Sequence, residues 1–333
     1  MDFLANYGIF LAELLTVLLV LLALIGFVVF LITKGKEPNF GLKLKVRKLN
    51  THFAEVKELL HENILSKAQH KKLLQNQKKT QKREERDNEK KSRLFVLNFE
   101  GDIKASAVQS LSELITAVLL VANKHDEVLV RLESAGGLVN AYGLAASQLQ
   151  RLRDAKIKLT IAVDKMAASG GYMMACVADK VLAAPFAIIG SIGVVAQLPN
   201  FHRFLEKNNI DFEQITAGEY KRSLSLFGEN TEKGREKVQS EVDDVQKLFK
   251  SFIKAHRPHV NVDQVATGEH WFAQQAIELN LVDELKTSDD YLLAAKDHNA
   301  IYELHYKTKV PLLKRLGTQV DAAIAKYLMG IKV

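Results

Sequence analysis

Two turns made of small residues stand out as places where chemistry could occur. The first is Glu133-Ser134-Ala135-Gly136-Gly137, the second is Ala167-Ala168-Ser169-Gly170-Gly171, and each joins an apolar run to a helical pattern. Paired glycines allow positive φ and the close approach of another backbone. Ser169 would begin a helix, where its Oγ is exposed and backbone N–H groups, with one more from the Gly136-Gly137 loop, can stabilise a developing oxyanion. The turn is compatible with a nucleophilic serine, but on this evidence alone an N-capping serine is the ordinary interpretation.

A serine hydroxyl becomes a nucleophile only beside a positioned base. None of the seven histidines within residues 94–333 lies in a small-residue turn or beside a strand end, so a Ser-His-Asp triad has no natural candidate. A lysine can serve when it is neutral, which requires burial to lower its pKa by about 3 units from about 10.4. Lys221 stands in the turn Gly218-Glu219-Tyr220-Lys221, away from the charge-rich N-terminal third. A surface lysine is the ordinary interpretation, and sequence physics alone does not overturn it.

The sequence gives little support to cofactor, metal or nucleic-acid chemistry. It contains no G-x-x-x-x-G-K-[ST] phosphate loop, no two glycines separated by a single residue and no H-E-x-x-H. The one cysteine, Cys176, excludes an intramolecular disulfide framework and most cysteine-based zinc sites. The formal net charge of +7 comes from the N-terminal third, because residues 94–333 carry 28 basic and 29 acidic residues. We therefore expect no cofactor, no metal and no nucleic-acid partner.

Beyond residue 93, short apolar runs alternate with amphipathic patterns. This alternation predicts an α/β fold with largely parallel strands, whose carboxyl ends carry the two turns. Ser106 is the candidate N-cap of the first helix. The predicted strands are 94–99, 128–132, 159–163, 181–184 and 188–196, and the predicted helices are 106–124, 139–153, 169–178, 201–208 and 231–256.

Residues 9–32 form an almost uninterrupted apolar run. As a helix these 24 residues would reach about 36 Å, enough to cross about 30 Å of hydrocarbon with some tilt. No Lys or Arg precedes the run and no cleavage site follows it, which favours an uncleaved anchor over a signal peptide. Glu13 would be an interfacial residue or an intramembrane acid. Six Lys or Arg within residues 34–48 predict, by the positive-inside rule, that the rest of the chain is cytoplasmic.

Residues 33–93 are rich in charge and predict a juxtamembrane tether. Residues 67–93 carry eleven Lys or Arg and four acidic residues without a repeating apolar stripe. A solvated helix or disordered tether is the first interpretation, and a basic face lying on anionic lipid is the second. Ahead of this stretch, apolar residues at 3-4 spacing predict one short amphipathic helix. They are Val46, Leu49, Phe53, Val56 and Leu60.

Together these motifs resemble the S49 family of serine–lysine membrane proteases, the signal peptide peptidase A family. The resemblance covers most of residues 94–285 in the family's order, and the joint signal is strong although each motif alone is weak. The matching stretches are Ser134-Ala135-Gly136-Gly137, Ala168-Ser169-Gly170-Gly171-Tyr172, Ile189-Gly190-Ser191-Ile192-Gly193-Val194, Gly218-Glu219-Tyr220-Lys221 and Gly268…Ala276…Leu281-Val282-Asp283-Glu284.

The resemblance implies a role for five residues. Ser169 aligns with the nucleophile and Lys221 with the general base. Ser191 aligns with a serine that orients the lysine, although a turn serine is its ordinary interpretation. Gly136 and Gly137 align with the loop that gives one oxyanion N–H, and the N–H of Ser169 would be the other. The implied reaction is acyl transfer to Ser169, which needs no metal or cofactor.

The resemblance also implies an architecture and a setting. The fold would be a ClpP/crotonase-like superhelix of β-β-α units, preceded by one transmembrane helix and a charged tether. Substrates would be peptides or membrane-derived polypeptides, the partners membrane lipid and copies of the same chain in a homo-oligomeric ring, and the location a bacterial inner membrane. The predicted domains are an N-terminal tail 1–8, a transmembrane helix 9–32, a tether 33–93, a peptidase domain 94–290 and a C-terminal extension 291–333.

Two departures from the family pattern and two rival functions accompany this prediction. Ala135 stands where the family usually has proline, which leaves the loop less stiff. His270 and Trp271 replace the commoner aromatic-Thr-Gly pattern, and packing is their default role.

A crotonase-like acyl-CoA enzyme would share the fold and an oxyanion hole without needing Ser169 or Lys221. A non-enzymatic membrane scaffold would need neither.

Overall fold

The computed structural model describes residues 2–34, 44–66, 68–70 and 91–306, and the chain divides into two compact units, Met1–Lys43 and Leu44–Val333. The first unit contains helix α1, Asp2–Lys34. Its window Tyr7–Leu24 is apolar and long enough to cross a membrane, with no part of that window buried, and it is the single such helix among the described residues. The predicted N-terminal apolar helix is therefore confirmed.

The second unit is built on one ten-stranded sheet. The strands are β1 Leu44–Lys48, β2 Ser92–Gly101, β3 Glu127–Ser134, β4 Lys158–Val163, β5 Met166–Ala168, β6 Lys180–Ala183, β7 Ile188–Gly190, β8 His270–Phe272, β9 Glu284–Leu285 and β10 Asn299–Tyr306. Strands β10, β2, β3, β4, β6 and β9 lie side by side and run parallel, and β1 pairs antiparallel with β10 at one edge.

Helices connect most of these strands, as the predicted α/β alternation requires. After α1, the helices are α2 Leu49–Ile64, α3 Val108–Leu119, α4 Val139–Asp154, α5 Gly170–Ala175, α6 His202–Lys207, α7 Glu232–His256, α8 Val262–Val265, α9 Ala273–Ala276 and α10 Ser288–Ala295. The longest of these is α7, which is capped by the Thr231 hydroxyl; this hydroxyl accepts a hydrogen bond from the Gly234 N–H at 3.1 Å.

A short branch leaves the main sheet at β3. β5 pairs with the end of β3 through Ser134 and Ala167, then with β7 through Ala168 and Gly190. β7 in turn pairs antiparallel with β8, which sets His270 opposite Gly190. The order β4-β5-α5 is the β-β-α unit expected of the predicted fold. Because β5 ends beside the ends of β3 and β7, the two small-residue turns meet there.

The core lies on both faces of the parallel sheet, as expected where helices cover each face. Alternate residues of β2 point to opposite faces, so Phe95 and Leu97 belong to one buried cluster while Leu94 and Val96 belong to the other. Each fully buried side chain of this kind stabilises the fold by roughly 1.5–3 kcal/mol. The first cluster includes residues of α3, α4 and α5, so the helix that follows Ser169 is packed into the core.

Several predicted boundaries are wrong for identifiable reasons. The first helix begins at Val108 after Ala107, because the Ser106 N–H donates to Asp102 Oδ1 at 2.8 Å and Ser106 does not cap. The predicted strand 188–196 ends at Gly190, where φ becomes +105° and then +49° at Ser191. Val46 lies in β1 and not in the predicted amphipathic helix.

The segments predicted as tether and extension also contribute to the sheet. β1, from the predicted tether 33–93, pairs with β10, and β10 falls within the predicted extension 291–333. β10 in turn pairs in parallel with β2, so the sheet reaches beyond the predicted bounds 94–290. Of the charged run 67–93, residues 67 and 71–90 lie outside the described residues, as do 307–333.

Candidate active site

Ser169 sits at the turn between β5 and α5 with an unusual backbone. Its φ is +52° and its ψ −119°, a conformation that costs a residue with a side chain on the order of 1–3 kcal/mol. The N–H of Ser169 donates to the Gly190 carbonyl at 2.7 Å, and its carbonyl accepts from the Met173 N–H at 3.0 Å. Its half-buried side chain makes no helix-capping hydrogen bond. The N-capping interpretation therefore does not describe this serine.

The glycine loop lies directly against Ser169. Gly136 has φ +87°, and a Cβ added there would lie 2.7 Å from both Ser169 Cβ and Gly170 N. A Cβ on Gly137 would lie 2.2 Å from the Ile103 carbonyl oxygen. These approaches are closer than any side chain permits, so the loop can reach Ser169 only because residue 136 is glycine, and it can pack on Ile103 only because residue 137 is glycine.

The backbone N–H groups around Ser169 divide into bonded and free donors. The N–H of Ser169 is held by Gly190, and the N–H of Gly136 donates to Ser134 Oγ at 3.0 Å. Within the described part of the chain, the N–H groups of Gly137 and Gly170 have no partner. The predicted donor Ser169 is thus occupied by the β5–β7 pairing. Gly170, at the first position of α5, takes its place as a free donor.

A chain of hydroxyl groups holds the glycine loop. Ser134 Oγ lies 2.5 Å from Tyr142 Oη, and Tyr142 Oη donates to the Asp102 carbonyl at 2.8 Å. Burial, together with the charge of Asp102, raises the pKa of Tyr142 against the lowering effect of its hydrogen bond with Ser134, so the hydroxyl keeps its proton. The sequence alone predicts no functional role for Ser134 or Tyr142. The available signal was a tyrosine on the buried face of a helix, since a buried tyrosine hydroxyl needs a partner.

Ser191 lies near Ser169 because a backbone hydrogen bond joins Ser169 to the residue before Ser191. It follows Gly190, which accepts the Ser169 N–H, and its own N–H donates to the Glu269 carbonyl at 2.6 Å. Its φ of +49° places it, like Ser169, in a turn that breaks a strand. Trp271 packs on the same turn, because a Cβ on Gly190 would lie 2.8 Å from its ring. Trp271 thus has a packing contact, as expected by default.

The structure does not join Lys221 to these residues within one chain. Lys221 is exposed, and its side chain has no hydrogen bond or ion pair with any residue in the described ranges. It lines a surface groove of about 910 Å³ with Arg222, Arg235 and Glu241, and Ser169 is not part of that lining. The structure thus brings together Ser169, Gly136, Gly137 and Ser191, while Lys221 lies in a separate, open groove.

The region around Lys221 is also rich in exposed apolar side chains. They are Val195, Leu198, Phe201, Phe204, Ile210, Phe212, Ile215, Leu226 and Phe227, and Ile215 is 96% exposed. Single exposed apolar residues are ordinary, but a concentration in one stretch is typical of an interaction surface. No group of three His, Cys, Asp or Glu that could hold a metal occurs within the described residues.

Comparisons with known proteins identify the family model and the relatives that match. The model of peptidase family S49 matches residues 151–302, and that of the S49 N-terminal region matches residues 2–149. A probable protease SohB of Haemophilus influenzae is 48% identical over 332 residues, covering 96% of this chain and 94% of that protein. A probable protease SohB of Buchnera aphidicola from Acyrthosiphon pisum is 45% identical over 347 residues, covering 99% and 98%.

Solved structures are also similar to this chain. One of them holds a mutant of the 1510-N membrane-bound stomatin-specific protease in complex with a substrate peptide. It aligns with a TM-score of 0.44 and 14% sequence identity, covering 69% of this chain and 98% of that one.

Proposed function

Since the chain belongs to peptidase family S49, we propose that it is a serine endopeptidase in which Ser169 is the nucleophile and Lys221 the general base. The observation that carries the proposal is the turn at Ser169. A strained strand-to-helix turn presents the serine, as the nucleophile elbow does in other hydrolases. Two free N–H groups and a glycine loop lie beside it.

The proposed mechanism is acyl transfer in two steps. Neutral Lys221 takes the proton of Ser169 Oγ as the oxygen attacks a peptide carbonyl, and the Gly137 and Gly170 N–H groups stabilise the oxyanion. Protonated Lys221 then gives the proton to the leaving amine, so the C–N bond breaks and an acyl-serine remains. Water, deprotonated by Lys221, attacks the ester; the bond between the acyl carbon and Oγ then breaks, Lys221 returns the proton to Ser169 Oγ, and the acid product leaves. Ser191, next to the acceptor of the Ser169 N–H, would orient the lysine amine.

This mechanism requires a drier environment than Lys221 has in the single chain. A lysine becomes neutral near pH 7 when it is desolvated, whereas Lys221 is exposed and surrounded by exposed apolar residues. Because Lys221 and Ser169 do not meet within one chain, a second copy of the chain packed on this surface would have to complete the site as well as remove water from the groove. We therefore retain the predicted homo-oligomeric ring, and a purified protein that sediments only as a monomer would contradict it.

The N-terminal helix supports a membrane-bound enzyme with its peptidase unit in the cytoplasm. Six Lys or Arg lie within residues 34–48, next to the candidate span, and each adds roughly 1 kcal/mol of attraction to an anionic leaflet. Peptides released from the membrane, and unfolded membrane proteins, would then be the accessible substrates. A C-terminal alkaline phosphatase fusion should be inactive; an active one would reverse the orientation and leave the chemistry untouched.

The proposal is tested at Ser169 with the full chain in detergent. The Ser169→Ala variant should lose casein hydrolysis and labelling by a serine-reactive phosphonate, and its thermal unfolding should change little, because the hydroxyl caps nothing. Retention of more than a few per cent of the hydrolysis would contradict the nucleophile assignment. It would favour the acyl-CoA enzyme or the scaffold, neither of which needs this hydroxyl.

A further inference from the structure

We propose that Tyr142 is a positioning residue that holds both oxyanion donors of the active site; the inference rests on the proposed function. Tyr142 is completely buried on α4, and it touches neither Ser169 nor the groove of Lys221 through any hydrogen bond. Its contacts run instead to the two backbone segments that carry the free N–H groups.

The hydroxyl of Tyr142 fixes the glycine loop through Ser134. Tyr142 Oη has one proton, and the Asp102 carbonyl at 2.8 Å can only accept it. The Ser134 hydroxyl therefore donates to Tyr142 Oη at 2.5 Å, which leaves Ser134 Oγ free to accept the Gly136 N–H at 3.0 Å. The direction of every proton in this chain is determined, and the chain ends on the residue before Gly137.

The ring of Tyr142 fixes the second donor. A Cβ on Gly170 would lie 2.4 Å from Tyr142 Cγ, so the ring packs directly against the first residue of α5. A Cβ on Gly101 would lie 2.4 Å from Tyr142 Oη and 2.5 Å from Ser134 Oγ, so glycine is needed to leave room for the pair. One side chain therefore connects the Gly137 loop, the Gly170 N–H and the end of β2.

Removal of the hydroxyl alone separates positioning from packing. Tyr142→Phe keeps the ring on Gly170, but Ser134 Oγ then loses its acceptor and the loop loses its anchor at Asp102. Because removal of an oxyanion donor slows catalysis by about 100-fold or more, its displacement should slow it by about tenfold or more. The effect should fall on the rate of reaction and not on binding.

The experiment measures inactivation of the full-length protein by a peptidyl diphenyl phosphonate, with the maximal rate and the half-saturating concentration determined separately. Tyr142→Phe and Ser134→Ala should each lower the maximal rate by about tenfold or more at an unchanged half-saturating concentration. The double variant should be no slower than the slower single one, because the two hydroxyls act as one chain.

The matched control is Tyr291→Phe. Its hydroxyl donates to Glu127, the first residue of β3, whereas Ser134 is the last, so the same change is made at the opposite end of one strand. The control variant should be less stable to unfolding, but the phosphonate should inactivate it at the wild-type rate. A Tyr142→Phe variant as fast as wild type would overturn the inference. If the wild type does not react, or if Ser169→Ala still hydrolyses casein, the proposed function itself fails.

Discussion

Gly136 shows how one missing side chain can determine whether the site forms. Its φ of +87° strains any other residue, and a Cβ there would meet Gly170 N and Ser169 Cβ at 2.7 Å. Neither neighbour can move freely, since one begins α5 and the other is held to Gly190 by its N–H. A side chain at 136 must therefore push the glycine loop away from Ser169.

We accordingly expect Gly136→Ala to lower casein hydrolysis by about 100-fold or more, the scale of a lost oxyanion donor. The matched control is Gly268→Ala, because Gly268 has φ +89° but no atom within 4 Å of the added Cβ. Both variants carry the cost of a left-handed backbone, roughly 1–2 kcal/mol. Only the first should lose activity, and a Gly136→Ala variant with near-normal activity would show that loop and serine need not touch.

At the scale of elements, β2 is fixed at its start by a buried carboxylate. Asp126 accepts hydrogen bonds from the Arg93 guanidinium, from the Arg93 N–H at 2.9 Å and from the Asn123 N–H at 2.8 Å. Burial alone would raise the pKa of Asp126, but these hydrogen bonds and the charge of Arg93 outweigh it and lower the pKa. The contact stabilises the entry to the strand that ends beside the site.

The sign of the pH dependence follows from that lowered pKa. Stabilisation by Asp126 is complete above its unfolded pKa of about 3.9 and is lost as the pH falls through the lower folded value. Asp126→Asn should cost roughly 2–4 kcal/mol of unfolding free energy at pH 7. In urea unfolding the cost should shrink below pH 3, and Asp297→Asn, at an exposed ion pair, should change nothing. A cost independent of pH would contradict the assignment.

The sequence could predict the elements better than their junctions. Apolar runs such as 94–99 and 128–132 predicted buried parallel strands, because burial on both faces leaves a continuous apolar signal. The end of β7 at Gly190 could not be predicted, since it depends on hydrogen bonds to β5 and to Glu269. β1 could not be predicted either, because it pairs with β10, which lies some 250 residues further along the chain.

The residues of the candidate site also differ in how far the sequence could predict them. Ser169 and the glycines could be found from their turns, since small residues are required where backbones approach closely. The sequence could not show which N–H groups remain free, because that depends on the pairing of Ala168 with Gly190. Tyr142 was missed since nothing in its own neighbourhood shows that its hydroxyl meets Ser134 and Asp102.

At the scale of the whole molecule, the proposed activation of Ser169 by a lysine contrasts with the exposure of Lys221 in the single chain. If a second copy completes the site, Lys221 acts there as a base and must be able to lose its proton. Arginine keeps the positive charge but stays protonated across the accessible pH range. Charge and basicity at position 221 can therefore be separated by substitution.

The most direct measurement compares casein hydrolysis by the full-length Lys221→Arg and Lys221→Ala variants with wild type, and with Lys247→Arg as a control at an exposed lysine paired with Asp244. Because a general base contributes about 100-fold to 10,000-fold, both position-221 variants should fall by at least about 100-fold, with arginine no better than alanine. Lys247→Arg should hydrolyse casein at the wild-type rate. Substantial hydrolysis by Lys221→Arg would show that the residue acts as a cation, and would contradict a Ser169–Lys221 dyad.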